Sequence, residues 1–383
     1  MTGPANLVDQ ADRATASGKL GLAEQLLRDA SQAAPDDPSI FLKLAALQRA
    51  AGRFEMALES VHRALSINPL EFTALLLRAS LLDRLGQPGA PEAWSHALAQ
   101  KPDGEIPAHL RPVVETAQVR VQQWTAERDE RMRAAMESAE KAADPDEQSR
   151  LRRFRSNVLR RTRAYHSEPT HFHFPGLAER EFLPRRLFPW IDELEGATAT
   201  IRSELQALLA SNAAELVPYV QYADHLPLDQ WRELNRNRNW SAIHLLQNGE
   251  IVEANASLCP RTVEVLQQCN QPNIRGASPN AMFSLLAPHT SIPPHVGVNN
   301  TRLVCHLPLV VPAGCWFRVG AETRYWQQGE AFVFDDTIEH EAANPTDQLR
   351  VVFIFDTWHP DLSPLERDAV RALIEVDGVP GAI

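Results

Sequence analysis

Cysteine is scarce, at four residues in 383. Cys259, Cys269, Cys305 and Cys315 have no CxxC spacing and are too few for a disulfide scaffold. They are expected as free or buried thiols in a reducing compartment. Long apolar runs are also missing. No stretch approaches the ~18–20 apolar residues of a membrane span, and the opening MTGPANLVDQADRA lacks the charged-then-apolar pattern of a secretory signal. The expectation is a cytoplasmic protein with no integral membrane segment. The Asn-x-Ser/Thr matches at Asn239, Asn255 and Asn299 then carry no glycan meaning. Basic charge is in deficit, with Lys+Arg at 38 against Asp+Glu at 49 and a net charge of −11. Nucleic-acid binding wants a basic face and is not expected. A hydrophobic content of 44% over this length leaves room for two domains, each with its own core.

The first pattern present is a repeat. Gly18, Gly52 and Gly86 are 34 residues apart, and Pro35, Pro69 and Pro102 follow them at spacings of 34 and 33. Between each Gly and Pro lies an amphipathic segment: LAEQLLRDASQAA, FEMALESVHRALSIN and APEAWSHALAQK. SIFLKLAALQRAA and FTALLLRASLLDRL precede Gly52 and Gly86 as partner helices. Gly permits a tight turn, Ala23 and Ala57 let paired helices approach, and Pro stops the second helix. This is the tetratricopeptide pattern, for which about three repeats make a stable stack. The concave face of such a stack binds peptides or partner proteins. A protein or peptide substrate recruited by the repeats is therefore an expected partner, with a mere packing surface as the alternative. Residues 105 to 170 read instead as long helix with a break at Asp144-Pro145. Their basic run RLRRFRSNVLRRTR is read as a solvated helix face.

Beyond HFPGL the pattern changes again. IRSELQALLASNA reads as a helix against the outside of a sheet. From Ala281, short strands follow between turn signals at Pro312-Ala313-Gly314, Gln328-Gly329 and Asn344-Pro345. They are AMFSLLA, TRLVCHLPLVV, CWFRVG, TRYWQ, AFVFD, HEAAN and LRVVFIFDTW. Their length and spacing predict a double-stranded β-helix, a jelly roll of the cupin type. The fold class expected is multidomain α+β. It comprises a tetratricopeptide solenoid (1–104), a helical linker (105–170), a β-barrel domain (171–364) and a C-terminal helix and tail (365–383).

Three elements of this region carry chemistry. His295-Val296-Gly297 is answered by Glu339-His340, and Arg350 follows. Two histidines at strand ends far apart in sequence can converge on one metal, and an arginine fork can receive the far carboxylate of an acid cosubstrate. Non-heme Fe(II) oxygenases commonly add a carboxylate to two histidines. It lies two residues after the first, where this chain has Gly297. The site is either broken or complete without it. His166, His171 and His173 are read as scattered surface and packing residues.

The segments HVGVNNTRLVCHLPLVVPAGCWFRVG and WQQGEAFVFDDTIEHEAANPTDQLRVVFIFDTWHP resemble the aspartyl/asparaginyl β-hydroxylase family. The resemblance covers roughly Thr170 to Pro364. FDD-x-x-EH and DTWHP are its specific parts; FHFPGL and FPWIDELE are looser. The resemblance implies Fe(II) held by His295 and His340 with Gly in place of the carboxylate, and 2-oxoglutarate and O2 as cosubstrates. It implies that Asp336 holds a water at the metal. Ser284 and Arg350 would bind the distal carboxylate of 2-oxoglutarate, and His306 would lie near its metal-bound end. Arg302 matches the first Arg of the family's R-L-R-x-H and is placed with the cofactor-binding group. Val304 replaces the second Arg, which in animal members helps bind the acidic substrate, so the prime substrate differs or is gripped otherwise.

The implied activity is hydroxylation of a side-chain carbon, of Asp/Asn or another residue in a protein or peptide. The alternatives are a free amino acid or a lipid acyl chain as substrate, or a non-catalytic scaffold with a cupin-like binding module. Joint retention of His295, His340, Asp336, Arg350, Ser284 and His306 argues for the enzyme.

Overall fold

The computed structural model describes residues 3–211, 215–223, 225–226 and 228–377. The end of the predicted tail, and the last residues of the predicted helix IRSELQALLASNA, lie outside the described residues. The chain divides into two compact units, Met1–Ala139 and Glu140–Ile383.

The first unit is a series of helical hairpins. Its helices are α1 (Pro4–Ala16), α2 (Leu20–Ala33), α3 (Pro38–Ala50), α4 (Phe54–Ile67), α5 (Phe72–Arg84) and α6 (Ala90–Ala99). They pair as α1 with α2, α3 with α4 and α5 with α6. Gly18, Gly52 and Gly86 occupy the three turns with φ of +75°, +75° and +64°. An added Cβ at any of them would meet nothing within 4 Å, so backbone conformation and not space requires the glycine. Ala23 and Ala57 are fully buried between helices, and Ala93 holds the equivalent place in the third hairpin. The 34-residue period is a tetratricopeptide array. Helix α7 (Arg111–Ala142) follows, and its Val114 and Ala117 join the core of the last hairpin. Helix α8 (Pro145–Val158) begins at the expected break, where Asp144 and Glu147 form a reciprocal capping box.

The second unit is built on two antiparallel sheets. Its strands are β1 (Val217–Pro218), β2 (Trp240–Gln247), β3 (Glu250–Ile251), β4 (Ala281–Leu286), β5 (Thr290–His295) and β6 (Arg302–Val310). They continue with β7 (Trp316–Val319), β8 (Glu322–Tyr325), β9 (Phe332–Phe334), β10 (His340–Asn344) and β11 (Arg350–Trp358). The larger sheet runs β1-β2-β4-β11-β6-β9, with β3 beside β2, and the smaller runs β5-β10-β7-β8.

Strand β11 shows why the fold forms. Val352 and Ile354 point into the core between the sheets, with Met282, Val304, Ile292 and Phe317. Val351, Phe353 and Phe355 point the other way, into a second core. That core is closed by α9 (Ile191–Gly196), α10 (Thr198–Ala210) and α11 (Pro260–Leu266) through Leu194, Ile201, Leu205 and Leu266. Both faces are buried, so the strand reads as a continuous apolar run instead of an alternation. The same parity sets the functional side chains. Arg350, Ser284 and His306 share the inward faces of β11, β4 and β6, since alternate residues point to one side. All four cysteines are free and buried. Among the described residues no helix is long and apolar enough to cross a membrane.

Candidate active site

The two histidines come from the smaller sheet. His340 opens β10 and His295 ends β5, and the two are direct cross-strand partners. Their ring centroids lie 4.0 Å apart. Each Nδ1 sits within hydrogen-bonding reach of a carbonyl oxygen, Pro293 O at 2.7 Å for His295 and Ile338 O at 3.1 Å for His340. A carbonyl can only accept, so each Nδ1 carries the proton and each Nε2 keeps a lone pair. Burial, with the neighbouring imidazole, lowers the His295 pKa to about 3, and burial lowers that of His340 to about 4. Both rings are neutral, the form that binds a metal. Among the described residues no group of three or more His, Cys, Asp or Glu is placed to hold a metal ion. The pair stands as two neutral nitrogen donors beside an open cavity, a donor type that suits first-row metals including iron, zinc, copper and nickel.

Gly297 is explained by its neighbour. An ideal Cβ there would lie 2.1 Å from Asp336 Oδ2 and 2.4 Å from its Cγ. The Asp336 carboxylate already fills the volume that a side chain at 297 would need. The two backbones are held together, with Gly297 N–H donating to Asp336 O at 2.7 Å. Asp336 Oδ2 pairs with the Arg302 guanidinium at 3.1 Å, and both residues are buried. Burial raises the Asp336 pKa, opposed by Arg302. Its Oδ1 is buried with no hydrogen-bond partner.

The larger sheet contributes the facing wall. Arg350 is 1% exposed and forms no ion pair with a carboxylate among the described residues. Its Nη1 donates to Ser284 O and Oγ, both at 3.3 Å, its Nε has no partner, and its guanidinium lies 4.6 Å from the Trp326 ring centroid. Burial lowers its pKa to about 10, which leaves it charged at neutral pH. Ser284 Oγ also accepts from Trp240 Nε1 at 3.1 Å. That hydroxyl accepts two hydrogen bonds, so its own proton is left to donate. His306 sits among Phe317, Phe332 and Phe334, with Nδ1 unpartnered and its pKa pushed well down by burial and Arg350.

Ser284, His295, His306, Asp336, His340 and Arg350 all line one cavity of about 730 Å³. Arg302 is not among its lining residues; it stands behind Asp336 and is committed to that carboxylate. Of the three histidines read as scattered, His166 pairs with Glu179 and His171 reaches the cavity rim.

Sequence reasoning missed part of the wall. Tyr219, Trp231 and Trp240 line it from far upstream, as do Thr170 and His171. Thr170 N and His171 N donate to Gly297 O and Val298 O, each at 3.0 Å. The aromatic cluster around Trp240 was the available signal, and it lay outside the strands recognised.

Residues 195–360 match the family model for aspartyl/asparaginyl beta-hydroxylase. Over 155 residues the chain is 35% identical to the aspartyl/asparaginyl beta-hydroxylase of Mus musculus, a match covering 39% of this chain and 20% of that protein. It is 30% identical over 210 residues to the aspartate beta-hydroxylase domain-containing protein 2 of Xenopus tropicalis, covering 54% of each. It is 34% identical over 180 residues to the ornithine lipid ester-linked acyl 2-hydroxylase of Rhizobium tropici, covering 46% of this chain and 60% of that one. The chain thus spans between 20% and 60% of the lengths of these relatives.

Proposed function

From the match of residues 195–360 to the aspartyl/asparaginyl β-hydroxylase family model, we propose that this chain is an Fe(II)- and 2-oxoglutarate-dependent dioxygenase. It hydroxylates a side-chain carbon of a protein or peptide, Asp/Asn or another residue. The observation that carries the reading is Arg350. A buried cation without a carboxylate partner is costly, and a dicarboxylic cosubstrate would balance it. The planar fork of Arg350 and the free proton of Ser284 Oγ match the distal carboxylate.

His295 Nε2 and His340 Nε2 would hold the iron. Asp336 is anchored by Arg302 and keeps Oδ1 free to order a water beside the metal, a role of the kind that orients directly bound groups. His306 would meet the metal-bound end of the oxo acid. Iron held there would supply the oxidising chemistry, by which one atom of O2 would enter succinate as 2-oxoglutarate loses CO2 and the other would enter a C–H bond of the substrate. The protein holds the reactants in one geometry and keeps bulk water from the buried wall. The tetratricopeptide array would dock the protein that carries the target residue. Similarity to the Rhizobium tropici acyl 2-hydroxylase favours a second substrate reading, an acyl chain.

The test is Fe(II)-dependent conversion of 2-oxoglutarate to succinate by the full chain, with metal content measured in parallel. His295→Ala and His340→Ala should each lose iron and turnover. Full metal retention and full activity in either variant would remove the reading.

A further inference from the structure

The cavity has an uneven inventory of charge. Among the described residues that line it, Arg350 is the only Lys or Arg, against the acids Asp336, Glu339 and Glu341. Each acid is already matched. Asp336 pairs with Arg302 at 3.1 Å, Glu339 with Arg318 at 2.9 Å and with Arg163 at 3.1 Å, and Glu341 with Arg318 Nε. Arg350 in turn is matched by the cosubstrate if the function proposed above holds. Among the described lining residues no Lys or Arg remains for a second carboxylate, and no Asp or Glu remains unmatched for an incoming ammonium.

Beside the uncharged polar groups of Thr170, Gln221 and Gln230 and the His171 ring, the wall offers mainly rings and aliphatic carbon. Tyr219 stacks on Trp240 with centroids 3.8 Å apart and planes 9° apart. Trp231 stacks on Trp240 at 6.1 Å and meets the His295 ring edge-on at 5.0 Å. Tyr222, 44% exposed, tilts against Trp231 at 6.5 Å. The row therefore runs from the surface to a metal-site histidine. Ile292, Val296 and Val304 fill the lining beside it. A carboxylate moving along this row would give up its water for ring faces and matched acids, which is unfavourable. An ammonium would gain ring faces but lose hydration without a free counter-ion. An uncharged chain loses little and gains area.

We propose that the part of the prime substrate reaching the two histidines is an uncharged, largely apolar peptide side chain held against the Tyr219–Trp240–Trp231 row, and not an aspartate carboxylate. This rests on the dioxygenase reading, with the repeats as the peptide-docking module. The test uses the full chain and three peptides identical except for a central Leu, Asp or Lys. Affinity is read by tryptophan fluorescence and calorimetry with saturating 2-oxoglutarate and no metal, and succinate release is read with Fe(II), 2-oxoglutarate and O2. The Leu peptide should bind about tenfold or more tighter than the Asp peptide, and it alone should accelerate succinate release. Trp231→Ala should erase the preference; if that variant does not fold, the comparison on the native chain decides. Preference for Asp or Lys, equal binding of all three, or binding of none overturns the assignment. Selective binding of the Leu peptide with no succinate under any condition leaves the assignment of the wall standing and removes the dioxygenase reading.

Discussion

Replacing Gly297 by alanine should damage this protein through a residue that is not touched in sequence. Gly297 lacks the positive φ of the repeat glycines, so its backbone accepts any side chain. The obstacle is space. The new methyl would stand 2.1 Å from Asp336 Oδ2, where real Cβ atoms keep at least 3.0 Å. The backbones cannot separate cheaply, because Gly297 N–H is bonded to Asp336 O. The carboxylate must rotate away, and its pair with buried Arg302 is lost. Breaking a buried ion pair on one side costs about 3–5 kcal/mol. Urea denaturation of the metal-free chain should show a loss of that order. In an Asp336→Ala background the same Gly297→Ala change should cost about 1 kcal/mol or less, because the volume is then vacant. Equal losses in both backgrounds, or an unchanged midpoint in the single variant, would refute the steric account. Gly297→Asp should fare no better than alanine. A large gain in iron-dependent turnover on that change would show a decayed three-ligand site.

Arg350→Ala should raise the apparent KM for 2-oxoglutarate strongly, since a charge-assisted pair of ~2–5 kcal/mol is lost, and Arg350→Lys should recover only part; steady-state kinetics decide, and an unchanged KM in the alanine variant would mean another group grips the acid. For the metal-free chain, the two histidines have folded pKa values of about 3 and about 4 against an ordinary 6.5. The unfolded chain takes up those protons first, so stability is full above pH 6.5 and falls as pH drops towards 4. Urea midpoints at about pH 7.5 and about pH 5 should differ by less in His295→Gln than in the native chain; equal pH slopes would count against buried neutral imidazoles. Deleting residues 1–104 should leave slow succinate formation intact while slowing hydroxylation of a protein partner, through loss of effective concentration; equal rates at limiting substrate would favour a small-molecule substrate.

Much of the architecture was legible because it rests on local rules. The 34-residue glycine period marked turns that need positive φ, and Asp144-Pro145 marked a helix start with its cap. Apart from β5, the strands from Ala281 onward lie within one or two residues of the expected segments, and β10 matches HEAAN end to end. Strand β5 was missed for a physical reason. TSIPPH carries two prolines, which read as loop, and it is tolerated as a strand because β5 is the edge of the smaller sheet. Strand β2 and the aromatic row were missed because their meaning is non-local. Trp240 matters through Ser284 and Tyr219, contacts fixed only when the sheet closes. The motifs predicted which residues meet at the cavity, but not that Arg302 turns its charge to Asp336 or that the Asp336 carboxylate is what requires glycine at 297.

The two-faced strand Arg350–Trp358 bears on how such a protein can change over generations. Arg350, Val352 and Ile354 face the space between the sheets, and Val351, Phe353 and Phe355 face the helices. Inserting or losing one residue inside it would exchange the two sets at once, sending Arg350 or its neighbours into hydrocarbon and phenylalanines into the cavity. Length is therefore frozen along this strand, while single replacements on the inner face remain open to selection. Lineages that diversify their chemistry must do so there by substitution, and must keep insertions to the loops between strands, where the register of β11 is untouched.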